Sequence, residues 1–358
     1  MAEIEFGPAQ RILIPGDAER AGRLESVTAI GEQGRPIVLF AFEDGGWSQQ
    51  TFLEYGADDA SWATIDRLVA GQPVGVATEN GRVLALFVNH AGVRVSSSRP
   101  EGGWSTGRRL SRATRASGAL VARDGGWEAF WTEEAGDRTR LLTHGTADDP
   151  GAQTTPFPVA ALPGIPAAEY GVGEPCLAPV GENGELWLTW AAFDRRQPQF
   201  GHLRLAAGEF GQPGFWTEKA WLPRDPAARR GVFDPQVTIH GGQPFGLWRE
   251  RNGEGNPGST WFQTSAPDGP VLLDLGPVRS PRFVTTIGGN GAPWLTFQEA
   301  DGSLWLARVD GTEVFTGRVS DRAGDSVQRL TAFAIGDTAT VAWWDAVERR
   351  FLYRSTTA

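Results

Sequence analysis

Residues 81–87 read Gly-Arg-Val-Leu-Ala-Leu-Phe, a turn glycine followed by an apolar run that ends six residues later in an aromatic side chain. This phrase, ending in Phe or Trp, recurs along the whole chain. Its copies lie at 34–40, 81–87, 125–131, 184–190, 242–248, 291–297 and, lengthened by one residue, 336–343. Neighbouring copies begin about 44 to 59 residues apart, within or slightly above the period of four-stranded propeller blades.

The same order of strands surrounds each copy. An alternating strand precedes the glycine, and a hairpin and a third strand follow the aromatic residue. Fourth strands often open with an aromatic, as at 62–68, 104–110 and 216–222. Period-two alternation bounded by Gly, Asp and Asn is typical of half-buried antiparallel strands. The sequence therefore predicts one all-β domain over residues 1–358, a seven-bladed β-propeller of four-stranded antiparallel blades, with a β-sandwich as the alternative.

The two ends of the chain complete one repeat. The seventh copy stops after its third strand, at Ser355, whereas segment 6–13 begins with an aromatic and continues with aliphatic residues like a fourth strand. Pairing this N-terminal strand with the C-terminal blade removes exposed sheet edges. We therefore expect the N-terminal strand to close the ring.

Composition limits the partners. The formal net charge is −10, and a field of that sign repels phosphate backbones and anionic bilayers, so we expect neither nucleic acid nor a membrane. Cys176 is the one cysteine, which excludes an intrachain disulfide. The start lacks the basic and apolar regions of a signal peptide. We expect a cytoplasmic protein, or a secreted one if a signal peptide was removed.

Long connections indicate where a site lies. Turns between first and second strands are short, whereas 163–174 and 223–234 are long and flank the long hairpins 191–201 and 249–259. Long loops on a rigid scaffold commonly carry binding groups. We therefore predict a site on this rim over blades four and five. The candidate catalytic residues are Asp234, Glu250 and Glu174, and the candidate ligand-binding residues there are Glu169, Tyr170, Arg229, Arg230, Phe233 and Arg249.

A second set of candidates follows from strand order. Glu299 and Asp345 lie two residues past the repeat aromatic, where second strands leave the sheet on the same rim. Arg282 and Arg329 open first strands and are expected to point toward the central channel from that side. Carboxylates interleaved with Arg suit acid–base chemistry, a carboxylated ligand or sugar hydroxyls, and equally suit solvated surface pairing.

Other chemistry is not indicated. His90, His144, His202 and His240 fall at unrelated places in their repeats, so we expect neither a metal site nor a cofactor. Cys176 opens an inner strand and is better interpreted as a buried structural thiol than as a nucleophile. No phosphate-binding loop, nucleophile elbow or dinucleotide fingerprint is present.

Two longer phrases carry a resemblance. Residues 173–190 (GEPCLAPVGENGELWLTW) and 233–248 (FDPQVTIHGGQPFGLW) resemble the repeats of bacterial sialidase-like β-propellers of the Asp-box type, and of related propeller lectins. The resemblance implies the propeller fold and, to a lesser degree, glycosidase chemistry. At 98–104 the chain reads Ser-Arg-Pro-Glu-Gly-Gly-Trp, without the Asp and Thr of the Asp box. Of a Tyr–Glu nucleophile pair, Tyr170 with Glu169 or Glu174 is the sole candidate on the rim.

Three functions stay open at this point. The first is a binding protein that recognises a glycan or polar small ligand at the rim over blades four and five. The second is an enzyme, a glycosidase-like hydrolase or a lyase, that uses carboxylates and arginines at the same channel mouth. The third is a scaffold with a protein partner, because a propeller fold does not decide function. The unequal loops favour a single site over one repeated in each blade.

Overall fold

The computed structural model describes most of the chain in segments. They are 3–12, 24–30, 36–44, 47–56, 61–68, 71–80, 82–98, 104–112, 118–123, 126–134, 140–146, 155–156, 170–172, 176–180, 185–194, 201–209, 212–219, 231–240, 243–251, 260–264, 271–287, 292–322 and 327–357. All regular structure in these segments is β-strand, so the all-β class is confirmed. No helix capable of spanning a bilayer occurs among them. The chain divides into two compact units, 1–109 with 278–358, and 110–277.

The first unit contains four sheets. The first sheet is β2 (Leu24–Ile30), β3 (Pro36–Asp44), β4 (Trp47–Gly56) and β5 (Ser61–Leu68). The second is β6 (Gln72–Glu79), β7 (Arg82–Asn89), β8 (Gly92–Ser97) and β9 (Arg108–Arg109). The sixth in chain order is β23 (Arg279–Phe283), β25 (Trp294–Gln298), β26 (Leu304–Asp310) and β27 (Glu313–Arg318). The last combines β1 (Gln10–Ile12) with β24 (Thr285–Ile287), β28 (Val327–Ile335), β29 (Thr338–Asp345) and β30 (Arg350–Ser355).

The second unit contains three sheets. One is β10 (Gly118–Arg123), β11 (Gly126–Glu134), β12 (Arg140–Thr146) and β13 (Thr155–Pro156). The next is β14 (Tyr170–Val172), β15 (Cys176–Val180), β16 (Glu185–Asp194), β17 (Gly201–Glu209) and β18 (Gln212–Lys219). The third is β19 (Gly231–His240), β20 (Gln243–Arg251), β21 (Thr260–Thr264) and β22 (Val271–Asp274).

The repeat phrase forms the second strand of each sheet, and its burial explains its composition. In β7 six consecutive residues, 83–88, are buried, so both faces of the strand are covered and the run is apolar rather than alternating. The repeat aromatics follow this rule: Phe87, Trp131, Trp248, Phe297 and Trp343 are each at most 8% exposed. These rings pack the interior.

The N-terminal strand pairs with the C-terminal strand of the last sheet. β1 pairs antiparallel with β30, with Gln10 opposite Tyr353 and Ile12 opposite Phe351. Ile12 is 1% exposed, and Ile4 and Phe6 pack against a core cluster that includes Trp294 and Val341. The strand therefore supplies the outer strand of the last sheet.

One stretch predicted as a single strand is divided. The first strand expected to begin at Arg282 becomes β23, which starts at Arg279 and pairs with β25, and β24, which crosses to pair parallel with β28 of the last sheet. Ser280 has a positive φ of 45°, and the register shifts between Arg279 and Arg282. The change of partner occurs further along, after Val284, whose N–H still donates to the Trp294 carbonyl at 2.9 Å.

Candidate functional site

Two arginines on inner strands come together in the first unit. Arg282 lies on β23 and Arg329 on β28, the first strands of neighbouring sheets. Thr296 of β25 is opposite Arg282 in the register and is fully buried. The Arg329 Nη1 donates to Thr296 Oγ1 at 3.0 Å, and the Arg282 Nη1 donates to the Pro281 carbonyl at 3.1 Å. The hydrogen bond to Thr296 thus places the Arg329 guanidinium beside Arg282.

No carboxylate in the described part of the chain neutralises this pair. By contrast, several arginines of the same unit form ion pairs with an Asp or Glu: Arg308, Arg322, Arg350 and Arg354. Burial and, to a lesser degree, the nearby Arg282 lower the pKa of Arg329 to about 9. The charged form of Arg329 is therefore held at a free-energy cost, which a bound anion would offset.

Glu299 and Asp345 have different environments although both leave the ends of second strands. Glu299 is exposed in the turn after β25, where its backbone bonds with Ser303 and Gly302. Asp345 is 3% exposed, and its Oδ1 accepts from the backbone N–H groups of Val347 and Glu348 at 2.9 and 3.0 Å. The Asp345 carboxylate shapes the β29–β30 turn, and its ligand-binding role stays a prediction.

Four of the candidates of the second unit lie on one pair of strands. Phe233 and Asp234 are on β19, and Arg249 and Glu250 are on β20. Phe233 is opposite Arg249, and the register shifts between Phe233 and Gln236, so Asp234 sits in an irregular part of the strand.

Glu250 is the most enclosed carboxylate of this group. It is 6% exposed, and Trp248 Nε1 donates to its Oε1 at 3.3 Å. Glu250 is opposite Val232 in the register, one position past Arg249. A buried carboxylate at the end of a second strand suits either a structural or an acid–base role.

The remaining candidates can be placed only in part. Tyr170 lies on β14, opposite Asp194 of β16. Outside the described residues are Glu169, Glu174, Arg229 and Arg230. Whether these groups assemble with Asp234 and Glu250 therefore stays a prediction. Within the described segments no three His, Cys, Asp or Glu side chains are grouped as a metal site would require.

Sequence reasoning missed the polar residues that support the arginine pair. Thr296 interrupts the apolar run 294–297, and Gln298 Nε2 donates to the Val327 carbonyl at 3.0 Å, joining the sixth sheet to the start of β28. The sequence feature that could have indicated them is Thr296 itself, a polar residue within an otherwise apolar run that is buried in the structure. A hydroxyl there requires a partner, and Arg329 provides it.

Comparison with known proteins shows the fold. The structure of a polysaccharide lyase of family PL25, an ulvan lyase bound to -[GlcA(1-4)Rha3S]-, is similar with a TM-score of 0.54 and 13% identity, covering 96% of this chain and 92% of that one. YCF48 bound to D1 peptide gives 0.53 and 14%, covering 100% and 97%. Polysaccharide lyase Uly1 gives 0.52 and 11%, covering 89% and 87%. No family model and no curated protein matches the sequence.

These structural relatives are β-propeller proteins, and the chain has a propeller-type fold. At this identity the likeness extends to the fold and no further. The comparisons therefore support the propeller architecture implied by the resemblance to Asp-box sialidases, and they do not support a specific relation to sialidases.

Proposed function

We propose that the protein is a glycan-binding β-propeller and that Arg282 and Arg329 hold an acidic group of the saccharide. The observation that carries this proposal is the arginine pair itself, two neighbouring guanidinium groups with no carboxylate partner in the described part of the chain. Guanidinium forks match the two oxygens of a carboxylate or sulfate. An acidic saccharide offers such groups together with hydroxyls for the surrounding polar residues.

The finer architecture belongs to the same proposal. We take the seven sheets of the described residues as seven blades of one ring, closed by β1 on the last sheet. The loops after second and fourth strands would then share one rim. Within the second unit, Glu250, Asp234, Phe233 and Tyr170 remain the proposed ligand contacts.

The relatives support a saccharide as the first class of ligand to test. Two of the three similar structures named above are polysaccharide lyases, and one of them was solved with a bound saccharide. YCF48, by contrast, was solved with a peptide. The choice of an acidic saccharide rests on the positive charge of the arginine pair and not on the similarity to these structures.

Binding is tested by calorimetric titration of the full chain with oligoglucuronate, a sulfated oligosaccharide and a carboxyl-reduced neutral oligomer. We expect the acidic oligomers to bind at least tenfold more tightly than the neutral one. Arg282→Gln and Arg329→Gln should each weaken that binding about tenfold or more, since a charge-assisted bond contributes about 1.5–3 kcal/mol. Arg318→Gln, an exposed arginine of β27, is the matched control.

Stability distinguishes loss of a ligand contact from loss of the fold. Because burial and a like charge disfavour the Arg329 cation, Arg329→Gln should leave the thermal midpoint unchanged or raise it. Equal affinity for acidic and neutral oligomers, or wild-type affinity in both arginine variants, would contradict the proposal.

A second candidate function is an enzyme, and the buried Glu250 favours it. A carboxylate enclosed beside Trp248 is placed to transfer a proton in glycoside hydrolysis or elimination. The test is turnover of acidic polysaccharides, followed by release of reducing ends and by ultraviolet absorbance of unsaturated products. Glu250→Gln should abolish turnover while glycan binding persists. A wild-type protein that binds the glycan but releases no product would refute the enzyme function and leave the binding function standing.

A further inference from the structure

A pocket of about 470 Å³ lies in the first unit, and neither Arg282 nor Arg329 is among its lining residues. Its lining includes Trp294 at the start of β25, Asp310 at the end of β26 and Asp337 in the β28–β29 turn. Glu299, the rim candidate, follows the opposite end of β25. The pocket therefore opens on the side of the compact turns, and its volume is within the range of small-ligand sites.

The N-terminal segment forms one wall. Ile4 N donates to the Thr316 carbonyl and Thr357 N donates to the Glu5 carbonyl, both at 3.0 Å. Glu3, Ile4 and Glu5 are thereby held beside the outer strand of the sixth sheet and the end of the last. This wall is backbone-anchored, so the pocket is a built feature of the folded chain.

A guanidinium and an aromatic ring are neighbours in the lining, and the ring, Trp294, is 5% exposed. Arg308 is opposite Trp294 in the strand register, and its guanidinium carbon lies 5.8 Å from the centre of the Trp294 ring. Asp310 Oδ2 is 3.9 Å from Arg308 Nη2, so the two side chains form a long ion pair. Phe315, which is partly exposed, supplies the accessible aromatic surface of the lining. Flat aromatic surfaces of this kind bind the apolar faces of ligand rings.

The polar groups of the pocket are mainly acceptors. Carboxylates outnumber the single guanidinium four to one in the lining, and Thr356 and Thr357 add hydroxyls. Such a lining repels carboxylated or sulfated ligands. It accepts hydrogen bonds from ligand hydroxyls, and the carboxylates are too dispersed among the described residues to form a metal site.

We propose that this pocket is a second binding site and that it takes a neutral saccharide ring. One face of the ring lies against Phe315 beside Arg308, while its hydroxyls donate to Asp310, Asp337 and Glu5. The site is independent of the proposed acidic-glycan site, because it shares none of the residues that hold the acidic group and has the opposite charge preference.

The experiment is a ¹H–¹⁵N titration that follows the Trp294 indole resonance in the full chain. The probes are glucose, galactose and mannose as methyl glycosides, with methyl glucuronoside and spermidine as charged comparisons, each up to 50 mM. We expect at least one neutral glycoside to shift the resonance saturably, and methyl glucuronoside to bind at least fivefold more weakly. Tighter binding of spermidine than of every neutral glycoside would replace the saccharide with an organic cation and overturn the proposal.

Variants locate the effect. Asp337→Asn, in an exposed turn, and Phe315→Leu, which keeps apolar volume but removes the ring, should each weaken binding about fivefold or more. Glu313→Gln removes an exposed carboxylate of the neighbouring strand outside the lining and should change nothing. No saturable shift with any neutral glycoside, or equal binding in both lining variants, overturns the second site and leaves the arginine pair unaffected.

Discussion

The second sheet and the last sheet have the same outer-strand geometry, but one is continuous and the other is assembled from both ends of the chain. In the second sheet Trp104 bridges Ser98, and Ser105 N donates to the Ser97 carbonyl at 2.8 Å. In the last sheet Phe6 bridges Thr356, and Gly7 N donates to the Ser355 carbonyl at 3.0 Å. Four residues beyond each aromatic the paired strand begins, β9 in one case and β1 in the other.

The difference lies in what joins the third and fourth strands. In the second sheet a short connection joins them, whereas Phe6 and Thr356 are separated by nearly the whole chain. For a flexible chain, closing that longer loop costs roughly 3–4 kcal/mol more. The last sheet has contacts that offset this cost: Tyr353 Oη donates to Gln10 Oε1, and residues 3–5 extend onto β27 and the C-terminal segment. A strand without a local connection thus depends on a wider interface.

The largest expected effect comes from removing that strand. Deleting residues 1–12 uncovers the surface under Ile4, Phe6 and Ile12 and leaves β30 as an edge, so we expect a loss of about 5 kcal/mol in the free energy of unfolding. Urea denaturation measures it. A synthetic peptide of residues 1–13 added in trans should restore part of the loss, and unchanged stability on deletion would show that β1 is dispensable.

A smaller effect follows from crowding the strand rather than removing it. A Cβ on Gly317 would lie 2.4 Å from the Ile4 carbonyl oxygen and 2.9 Å from Phe6 Cε2, so Gly317→Ala must displace the N-terminal segment. We expect a loss of about 2–3 kcal/mol and faster proteolysis near residue 6. In Gly7→Ala the nearest atom would be 3.8 Å away, so this variant should be nearly neutral. Equal behaviour of the two variants would refute the close approach.

The matched aromatics test the comparison directly. Phe6→Ala and Trp104→Ala each remove a partly buried ring that packs against an inner cluster, and each should cost about 2 kcal/mol. Only Phe6→Ala should release its strand, because Trp104 stays joined to β8 by the chain. Amide hydrogen exchange at residues 10–12 and 108–109 separates the two responses. Rapid exchange at 108–109 in Trp104→Ala would show that the covalent connection adds no order.

The smallest expected effect concerns one hydrogen bond in each sheet. Thr356 Oγ1 accepts from Ala339 N at 3.1 Å, and Ser98 Oγ accepts from Val83 N at 2.9 Å. Thr356→Val and Ser98→Ala should each cost about 1 kcal/mol, because a backbone donor loses its acceptor. Thermal unfolding measures both. A cost confined to one of the two sheets would mean that the positions are not equivalent.

The sequence predicted the strands that belong to the repeat, and it did not predict the elements that depart from the repeat. The glycine-to-aromatic phrase at 81–87 places β7 within two residues, and 62–68 places β5 within one. The fourth strand expected at 104–110 is reduced to a bridge at Trp104 and the short β9. The crossing of β24 to β28 leaves no periodic signal, because a three-residue parallel pairing has no side-chain pattern of its own.

The candidate site shows the same division. Strand order placed Arg282 and Arg329 on the inner strands, and the structure puts them in neighbouring sheets. It could not indicate that Asp345 is occupied by the backbone of its own turn, since an aspartate at a strand end fits a turn and a ligand site equally well. The pocket beside Trp294 was missed because its wall comes from residues distant in sequence.

The hydrogen bond from Thr357 to Glu5 also has a practical consequence. Since those two backbones touch, a few glycines suffice to join them, and fresh termini can be opened in an exposed loop elsewhere. In such a rearranged molecule β28, β29, β30 and β1 follow one another in one stretch, so the outer strand forms by a local hairpin-like step. Circular permutation would thereby separate the influence of chain order from that of the contacts themselves.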